Sequence, residues 1–340
     1  MRTLFQKLGE CIQSKEDTVL VSIIASEGSA PRGAGAHMLV GADGRICGTV
    51  GGGAIEGKCI DTAKRILHDR TSYSATFSLN DIRDEELGMV CGGAVRIFFQ
   101  YLSYEEENVK DVVKAAKRLF EQGKSTWLVV NLTDGMLSLC CENQIFGNAF
   151  PKELTNYMGK RPQIAELSGK QFYTEWMIRN GRVYLFGGGH VAQALVPVLH
   201  SVDFRCVVVE DREEFCDPYL FPKAEGIRLL QPPQWRSELP IGEEDYICIM
   251  TRGHKNDLEC QVFALETDAC YIGVIGSRRK IAVTQAKLKE RGFSEEDLKR
   301  ITTPIGLEIG AETPAEIAVS IAAQLIAHRA ARMQMVNPDK

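Results

Sequence analysis

What this sequence lacks narrows its chemistry first. None of its 11 cysteines stands in a C-x-x-C spacing, which excludes a zinc ribbon and a thioredoxin-type motif; the scattered thiols are expected to be buried and reduced. Positive charge is not in surplus either. The 40 Lys and Arg against 45 Asp and Glu leave a formal net charge of −5, which argues against a surface that generally attracts nucleic acid or anionic lipid. No stretch approaches the roughly 20 apolar residues that cross a bilayer, and residues 1–10 show no basic start leading into an apolar run. Internal repeats and low-complexity segments are absent as well. The expectation is a cytoplasmic protein, with no nucleic acid or membrane partner, that meets a small anion or another protein. Its 340 residues, 44% hydrophobic and 25% charged, suffice for two separate cores.

What the sequence has is glycine, 31 residues of it. The spacing predicts a helix over 4–12 and a buried β-branched strand over 18–25. Glycines at 28, 33, 35, 41, 44, 48 and 51–53 then punctuate two short strands, 38–40 and 46–50, before helical spacing resumes over 55–67. Strands are expected at 73–79 and 94–101, a helix at 109–120, and a hairpin of 126–132 with 136–141 across Thr133-Asp134-Gly135. From 147 to 181 the pattern weakens. The expected organisation is therefore a glycine-rich α+β domain over 1–150, a linker over 151–180 with room for a strand, and a second domain over 181–340.

In that second domain, apolar runs at 183–186, 206–209, 227–230, 246–250 and 271–275 alternate with helical spacing at 191–199, 258–265 and 281–289. Such alternation means a parallel sheet wrapped by helices. The last helix, over 317–326, has the clearest start: Thr313 as N-cap, Pro314 at the first helical position and Glu316 completing a capping box.

The sharpest motif is the strand Val183-Tyr184-Leu185-Phe186 running through Gly187-Gly188-Gly189-His190 into a helix. Gly187, Gly189 and Ala192 satisfy G-x-G-x-x-A, in which the glycines allow a tight turn and close approach of backbone N–H groups to a pyrophosphate, while the alanine packs helix on sheet. A helix N-terminus adds a favourable field for anions. Glu210 and Asp211 end the next strand where an acid can meet a ribose or similar diol. The fold class is thus α/β: a mixed α+β N-terminal domain followed by a Rossmann-like, doubly wound parallel-sheet domain. Tight packing without a ligand remains the competing reading of the turn. His190 reads rather better as a local helix-start donor than as a catalytic base. Two more polar loops follow strands of the same sheet, one with Arg252, His254 and Lys255, the other with Ser277, Arg278, Arg279 and Lys280. Their cations can neutralise phosphate or simply be solvated.

The first domain offers donor-rich loops at 26–33 and 48–57, the second with Gly51, Gly52 and Gly53 opening a helix. Cys91 stands before Gly92 and Gly93, which leave its thiol little covered. A buried structural cysteine is the commoner outcome for a lone Cys, yet an accessible thiolate could meet a soft metal or sulfur.

These strings together resemble the XdhC/CoxI family, accessory factors of xanthine dehydrogenase and related molybdenum hydroxylases. The likeness runs through Glu27-Gly28-Ser29-Ala30-Pro31-Arg32, the 48–57 loop, Cys91-Gly92-Gly93, the Gly187 to His190 turn, Val209-Glu210-Asp211-Arg212, Ile275-Gly276-Ser277-Arg278-Arg279-Lys280, and the segment 304–314, and so spans nearly the whole chain. The resemblance implies a protein that binds the molybdenum cofactor (molybdopterin), supports its sulfuration with a cysteine desulfurase and delivers it to an apo-hydroxylase: a carrier rather than an enzyme. Under it, Gly51 to Gly53, Cys91 to Gly93, Gly187 to His190, Glu210 to Arg212, Arg252, His254 and Ser277 to Arg279 become cofactor-binding candidates, with Cys91 toward the metal. The family often has a cysteine where this chain reads Gly51-Gly52-Gly53-Ala54. Ala54 departs from that, leaving Cys91 as the only obvious motif thiol. A homodimer is expected as the commonest soluble assembly. Competing with the carrier is an NAD(P)-dependent oxidoreductase built on the Gly187 turn, with a regulatory nucleotide binder or scaffold behind it.

Overall fold

The structure, a computed structural model, describes residues 1–335 except Ser29, Pro31, 79–92, Asn143, 179–180, 252–253 and Ser277; of Ile178, 254–255, 278–281 and 333–335 only the backbone is described. The chain divides into two compact units, Met1–Arg179 and Asn180–Lys340.

The first unit holds two antiparallel sheets. Strands β1 (Thr18–Glu27), β2 (His37–Gly41), β3 (Gly44–Gly48), β4 (Tyr73–Ser78) and β5 (Ala94–Leu102) form one, in the order β3-β2-β1-β5-β4. The other comprises β6 (Thr126–Asn131), β7 (Leu137–Cys141), β8 (Gln144–Gly147), β9 (Gln163–Leu167) and β10 (Lys170–Ile178), ordered β8-β7-β6-β10-β9. The period of two along β1 explains how one sheet serves two cores. Val19, Val21 and Ile23 face Ile55, Cys59 and Ala63 of α2 (Gly53–Asp69). Leu20 and Ile24 point the other way. They join Leu4, Phe5 and Leu8 of α1 (Arg2–Gln13), Val112 and Leu119 of α3 (Glu107–Gln122), and Leu128 and Tyr173 of the second sheet in a shared core.

Residues 151–180 are not a spacer between the units. They contribute a 3-10 turn at Lys152–Tyr157 and the two strands β9 and β10, and β10 pairs antiparallel with β6 from Phe172↔Asn131 onward. The linker reading is corrected on a physical ground: Thr174 and Glu175 interrupt the apolar run of β10, and of its two partners β9 precedes it across a tight turn while β6 lies some forty residues earlier in the chain.

The second unit is the parallel sheet expected. Its strands β11 (Arg182–Phe186), β12 (Arg205–Glu210), β13 (Gly226–Leu229), β14 (Tyr246–Ile249), β15 (Tyr271–Val274) and β16 (Ile301–Thr302) lie in the order β13-β12-β11-β14-β15-β16. Renumbered within the unit this is 3-2-1-4-5-6, the doubly wound order with its switch point between the first and fourth strands. Helices α4 (His190–Ser201) and α9 (Pro314–Met335) cover one face, where Leu195, Leu199, Ile321 and Leu325 pack on Val183 and Leu185. On the other face, α6 (His254–Leu265) supplies Cys260 and Phe263, and α7 (Arg278–Glu290) supplies Leu288, against Phe186 and Ile247. Short helices α5 (Trp235–Glu238) and α8 (Glu295–Lys299) complete it. The capping box of α9 forms: Glu316 N–H donates to Thr313 Oγ1 at 3.3 Å, and Thr313 N–H to Glu316 Oε2 at 2.9 Å. One connection departs from the usual pattern. Between β12 and β13 stand only two 3-10 turns, Glu213–Phe215 and Pro218–Leu220, where a crossover helix would ordinarily lie. Among the described residues, no helix is long and apolar enough to cross a membrane.

Candidate functional site: two glycine turns

The turn after β11 is shaped by two close approaches. Gly187 has φ 110°, and a Cβ there would come within 2.6 Å of the Met250 carbonyl at the end of β14. Only glycine fits. Its N–H donates to Val209 O at 2.8 Å, which ties the turn to the end of β12. Gly188 is buried, and a Cβ on it would meet the Phe215 carbonyl at 3.0 Å. Gly189 differs from both. It caps α4 with an extended backbone, φ −70° and ψ −177°, and nothing lies within 4 Å of where its Cβ would project. His190, the next residue, is exposed. The turn is therefore closed on its Gly188 side and open on its Gly189 side.

The closing group is Glu210. Its carboxylate, only 3% exposed, accepts from Gly188 N–H at 2.6 Å, Asp211 N–H at 3.0 Å, Arg212 N–H at 3.2 Å, and Arg212 Nε and Nη2 at 3.0 and 3.1 Å. The Arg212 guanidinium also lies over the Phe215 ring, 3.9 Å from its centroid. Burial pushes the Glu210 carboxyl up, but the Arg212 bonds and the backbone N–H groups outweigh it and bring it down to about 2. Asp211 moves the other way, raised by its neighbour Glu210 and by burial. Its Oδ2 accepts from Asn256 Nδ2 of α6 at 2.6 Å. Glu210, Asp211 and Arg212 thus sit together at the turn, and Glu210 is bonded inward to Gly188 and Arg212.

The first unit builds its turn differently. Gly51, Gly52 and Gly53 have φ of 146°, 82° and 60° and lead from β3 into α2. A Cβ on Gly52 would meet nothing within 4 Å, so conformation rather than crowding demands glycine here. Thr49 Oγ1 accepts from Gly51 N–H at 3.2 Å and donates to Glu56 of the first turn of α2, whose other oxygen pairs with Arg45 Nη1 at 3.2 Å.

Underneath that loop lies a polar network that the sequence reading missed. Between the two sheets, Ser22 Oγ and His37 Nδ1 are 2.8 Å apart, His37 Nε2 and Glu175 Oε2 are 2.6 Å apart, and the Tyr173 hydroxyl donates to Glu175 Oε2 at 2.8 Å. His37 and Glu175 are each 8% exposed. Burial raises the Glu175 carboxyl, and the His37 ring and Tyr173 hydroxyl reverse that, holding it below its ordinary value. The His37 backbone reaches the glycine loop directly: its carbonyl accepts from Thr49 N–H at 3.0 Å and would stand 2.3 Å from a Cβ on Gly48. Ser22 is itself buried, so the network braces the loop and Ser22 is no exposed nucleophile. The one sequence signal was a histidine and a glutamate inside strands with apolar neighbours.

Of the remaining candidates, Gly93 is buried just before β5, while Cys91, Gly92, Arg252 and Ser277 lie outside the described residues. The backbones of His254 and of Arg278 and Arg279 open α6 and α7, after the parallel strands β14 and β15. Gly51 to Gly53 and Gly187 to Gly189 belong to different units. Among the described residues, no group of three or more His, Cys, Asp or Glu is placed to hold a metal ion.

A doubly wound sheet with a glycine turn at its switch point, following a two-sheet antiparallel unit with a glycine turn of its own, defines a two-domain protein of Rossmann type. More particularly, the chain belongs to the XdhC/CoxI family: residues 183–325 match the XdhC Rossmann domain, and residues 11–78 match the XdhC and CoxI family. It is 28% identical to a protein of Bacillus subtilis (strain 168) named as a probable xanthine dehydrogenase subunit, over 95% of this chain and 96% of that one. To the molybdenum cofactor insertion chaperone PaoD of Escherichia coli (strain K12) it is 22% identical, over 96% and 88% of the two chains. Its fold is also that of a solved structure, described as a xanthine dehydrogenase from Bacillus halodurans, with a TM-score of 0.78, 26% identity and 98% of each chain covered.

Proposed function

We propose that this protein is a molybdenum-cofactor-binding accessory factor that shelters the cofactor, supports its sulfuration and delivers it to a xanthine-dehydrogenase-type hydroxylase in the cytoplasm. The observation that supports the reading best is the open space over Gly52 and Gly189, each at the N-terminus of a helix of at least three turns. Backbone N–H groups there suit the phosphate end of the cofactor, because the helix field and the unpaired first-turn donors both favour an anion. The name of the PaoD relative points to the same cofactor. When bound, the cofactor supplies the molybdenum and dithiolene chemistry of the recipient enzyme. The chain's own residues hold, orient and shield it. In the second unit Gly187 to His190 would take an anionic end, with Arg252, His254, Ser277, Arg278 and Arg279 adding donors and charge; in the first unit, taken by itself, Gly51 to Gly53 would offer the backbone donors and Cys91 would meet the metal. Glu210 and Arg212 would shape the Gly187 turn from behind. A cysteine desulfurase and the apo-hydroxylase are the proposed partners, and a homodimer the proposed assembly.

The strand order and the Gly187 turn are what favour an NAD(P)-dependent oxidoreductase, and they set where a ligand would sit rather than which ligand.

The test is to co-express the chain with the cofactor's biosynthesis, purify it without oxygen and identify what leaves on denaturation. Molybdopterin or its molybdenum form is expected. Cys91→Ala should weaken retention by about tenfold, equivalent to ~1.4 kcal/mol. Equal reactivation of an apo-hydroxylase by variant and parent would remove Cys91 from the site, and a chain that leaves with no pterin would sink the reading.

A further inference from the structure

We infer that the ribose-reading position of the second unit is filled by the protein itself, so that this Rossmann-type domain takes neither NAD(H) nor NADP(H). In dinucleotide-binding domains of this strand order, an acid at the end of the second strand accepts from the ribose 2′-hydroxyl, or a nearby arginine accommodates a 2′-phosphate. Here the second strand is β12, its last residue is Glu210, and the nearby arginine is Arg212.

Neither device is available. An ionised carboxylate offers about four lone-pair sites. Glu210 already receives five donors: three on Oε1, from Asp211 N–H, Arg212 N–H and Arg212 Nε, and two on Oε2, from Gly188 N–H and Arg212 Nη2. A ribose hydroxyl would find no acceptor there without first breaking a charge-assisted bond. Arg212 turns Nε and Nη2 toward Glu210 and lays its plane on Phe215, so a 2′-phosphate would compete with a buried carboxylate for the same edge. The Phe215 backbone also crowds Gly188, in the short β12–β13 connection where a crossover helix is missing. Asp211, the remaining acid, directs Oδ2 to Asn256 of α6. The tertiary structure thus completes internally the subsite that the fold usually opens to a dinucleotide. Excluding an abundant dinucleotide would keep the Gly189 face for another phosphate-bearing ligand.

The experiment is a fluorescence titration of the full-length protein with NADH and with NADPH, alongside Arg212→Ala. Wild type should show no saturable binding of either into the millimolar range. Arg212→Ala removes two of the five donors and returns a lone pair to Glu210, so its affinity for NADH should rise by about tenfold, the worth of one regained hydrogen bond to a charged group. NADPH should gain nothing, since the variant has lost the arginine that would meet the 2′-phosphate. Micromolar binding of either dinucleotide by wild type overturns the inference, and loss of that binding in Asp211→Asn would move the ribose to Asp211. NADH affinity unchanged in a folded Arg212→Ala, checked by its melting curve, overturns the role of the Glu210 and Arg212 pair. If that variant does not fold, the wild-type titration decides alone. The cofactor-carrier reading rests on the open space over Gly52 and Gly189, not on the ribose position, so either proposal can fail while the other stands.

Discussion

The two glycine turns share a sequence grammar, strand then glycines then helix, yet they are held by opposite means. At Gly51 to Gly53 the bracing acid is Glu56, four residues into the helix that the turn opens, with Thr49 and Arg45 from the same hairpin. At Gly187 to Gly189 it is Glu210, which comes from the neighbouring strand β12 and takes the Gly188 N–H itself. A local brace leaves Gly52 conformationally special but uncrowded; a brace from another strand packs the Gly187 turn from behind and leaves one side open. The same motif can therefore mean an accessible loop in one unit and a half-filled one in the other.

The sharpest way to break this contrast is Glu210→Ala. It leaves the Arg212 guanidinium and the Gly188 N–H without their acceptor, and should cost the second unit about 3 kcal/mol in urea unfolding. The pH dependence carries the same signature. The Glu210 carboxyl titrates near its ordinary 4.5 when unfolded and near about 2 when folded, so the unfolded chain binds the proton more readily in between. Its contribution to stability is complete above the unfolded value and is lost as pH falls toward the folded one. Glu210→Gln should flatten that acid limb, and an unchanged limb would show that Glu210 is not the group responsible.

Next in size is a matched pair of glycine substitutions. Gly187→Ala combines a positive φ with a backbone clash at Met250, and should cost about 3 kcal/mol, at the top of the range for stored strain. Gly52→Ala meets the φ penalty alone, since nothing stands near its Cβ, and about 1–2 kcal/mol is expected. Equal melting shifts would erase the distinction between crowded and uncrowded turns. The smallest stability effect belongs to Gly189→Ala, whose backbone is extended and whose Cβ would enter open space. Stability should change by less than about 1 kcal/mol, while retention of a phosphate-bearing ligand drops by about tenfold because the methyl intrudes on it. Unchanged retention would take the ligand away from this face.

Much of the frame was legible in the residues. The alternation from 183 onward foretold five of the six parallel strands, and the α9 start was readable because its capping partners, Thr313 and Glu316, stand three residues apart. The second sheet of the first unit was legible mainly in its β6–β7 hairpin. The β9–β10 hairpin turns at Ser168-Gly169, a local signal that the residues did carry, but the pairing of β10 with β6 spans some forty residues and leaves no short-range mark. The site was legible in the same measure. Glu210 was legible as the acid ending the strand after the Gly187 turn, but that it faces Gly188 N–H and the Arg212 guanidinium rather than a ligand is a matter of tertiary contacts. For His37 and Glu175, 138 residues apart, the polar residues amid apolar neighbours were visible, but their pairing left no local trace.

By itself, the sequence determined the periodicities, the caps and the places where a chain must bend through positive φ, because these are settled among residues a few positions apart. Only the tertiary structure decided which acid faces which amide and which strands complete a sheet. Such contacts join distant positions, and a carboxylate with its lone pairs filled from within reads, in one dimension, the same as one waiting for a ligand.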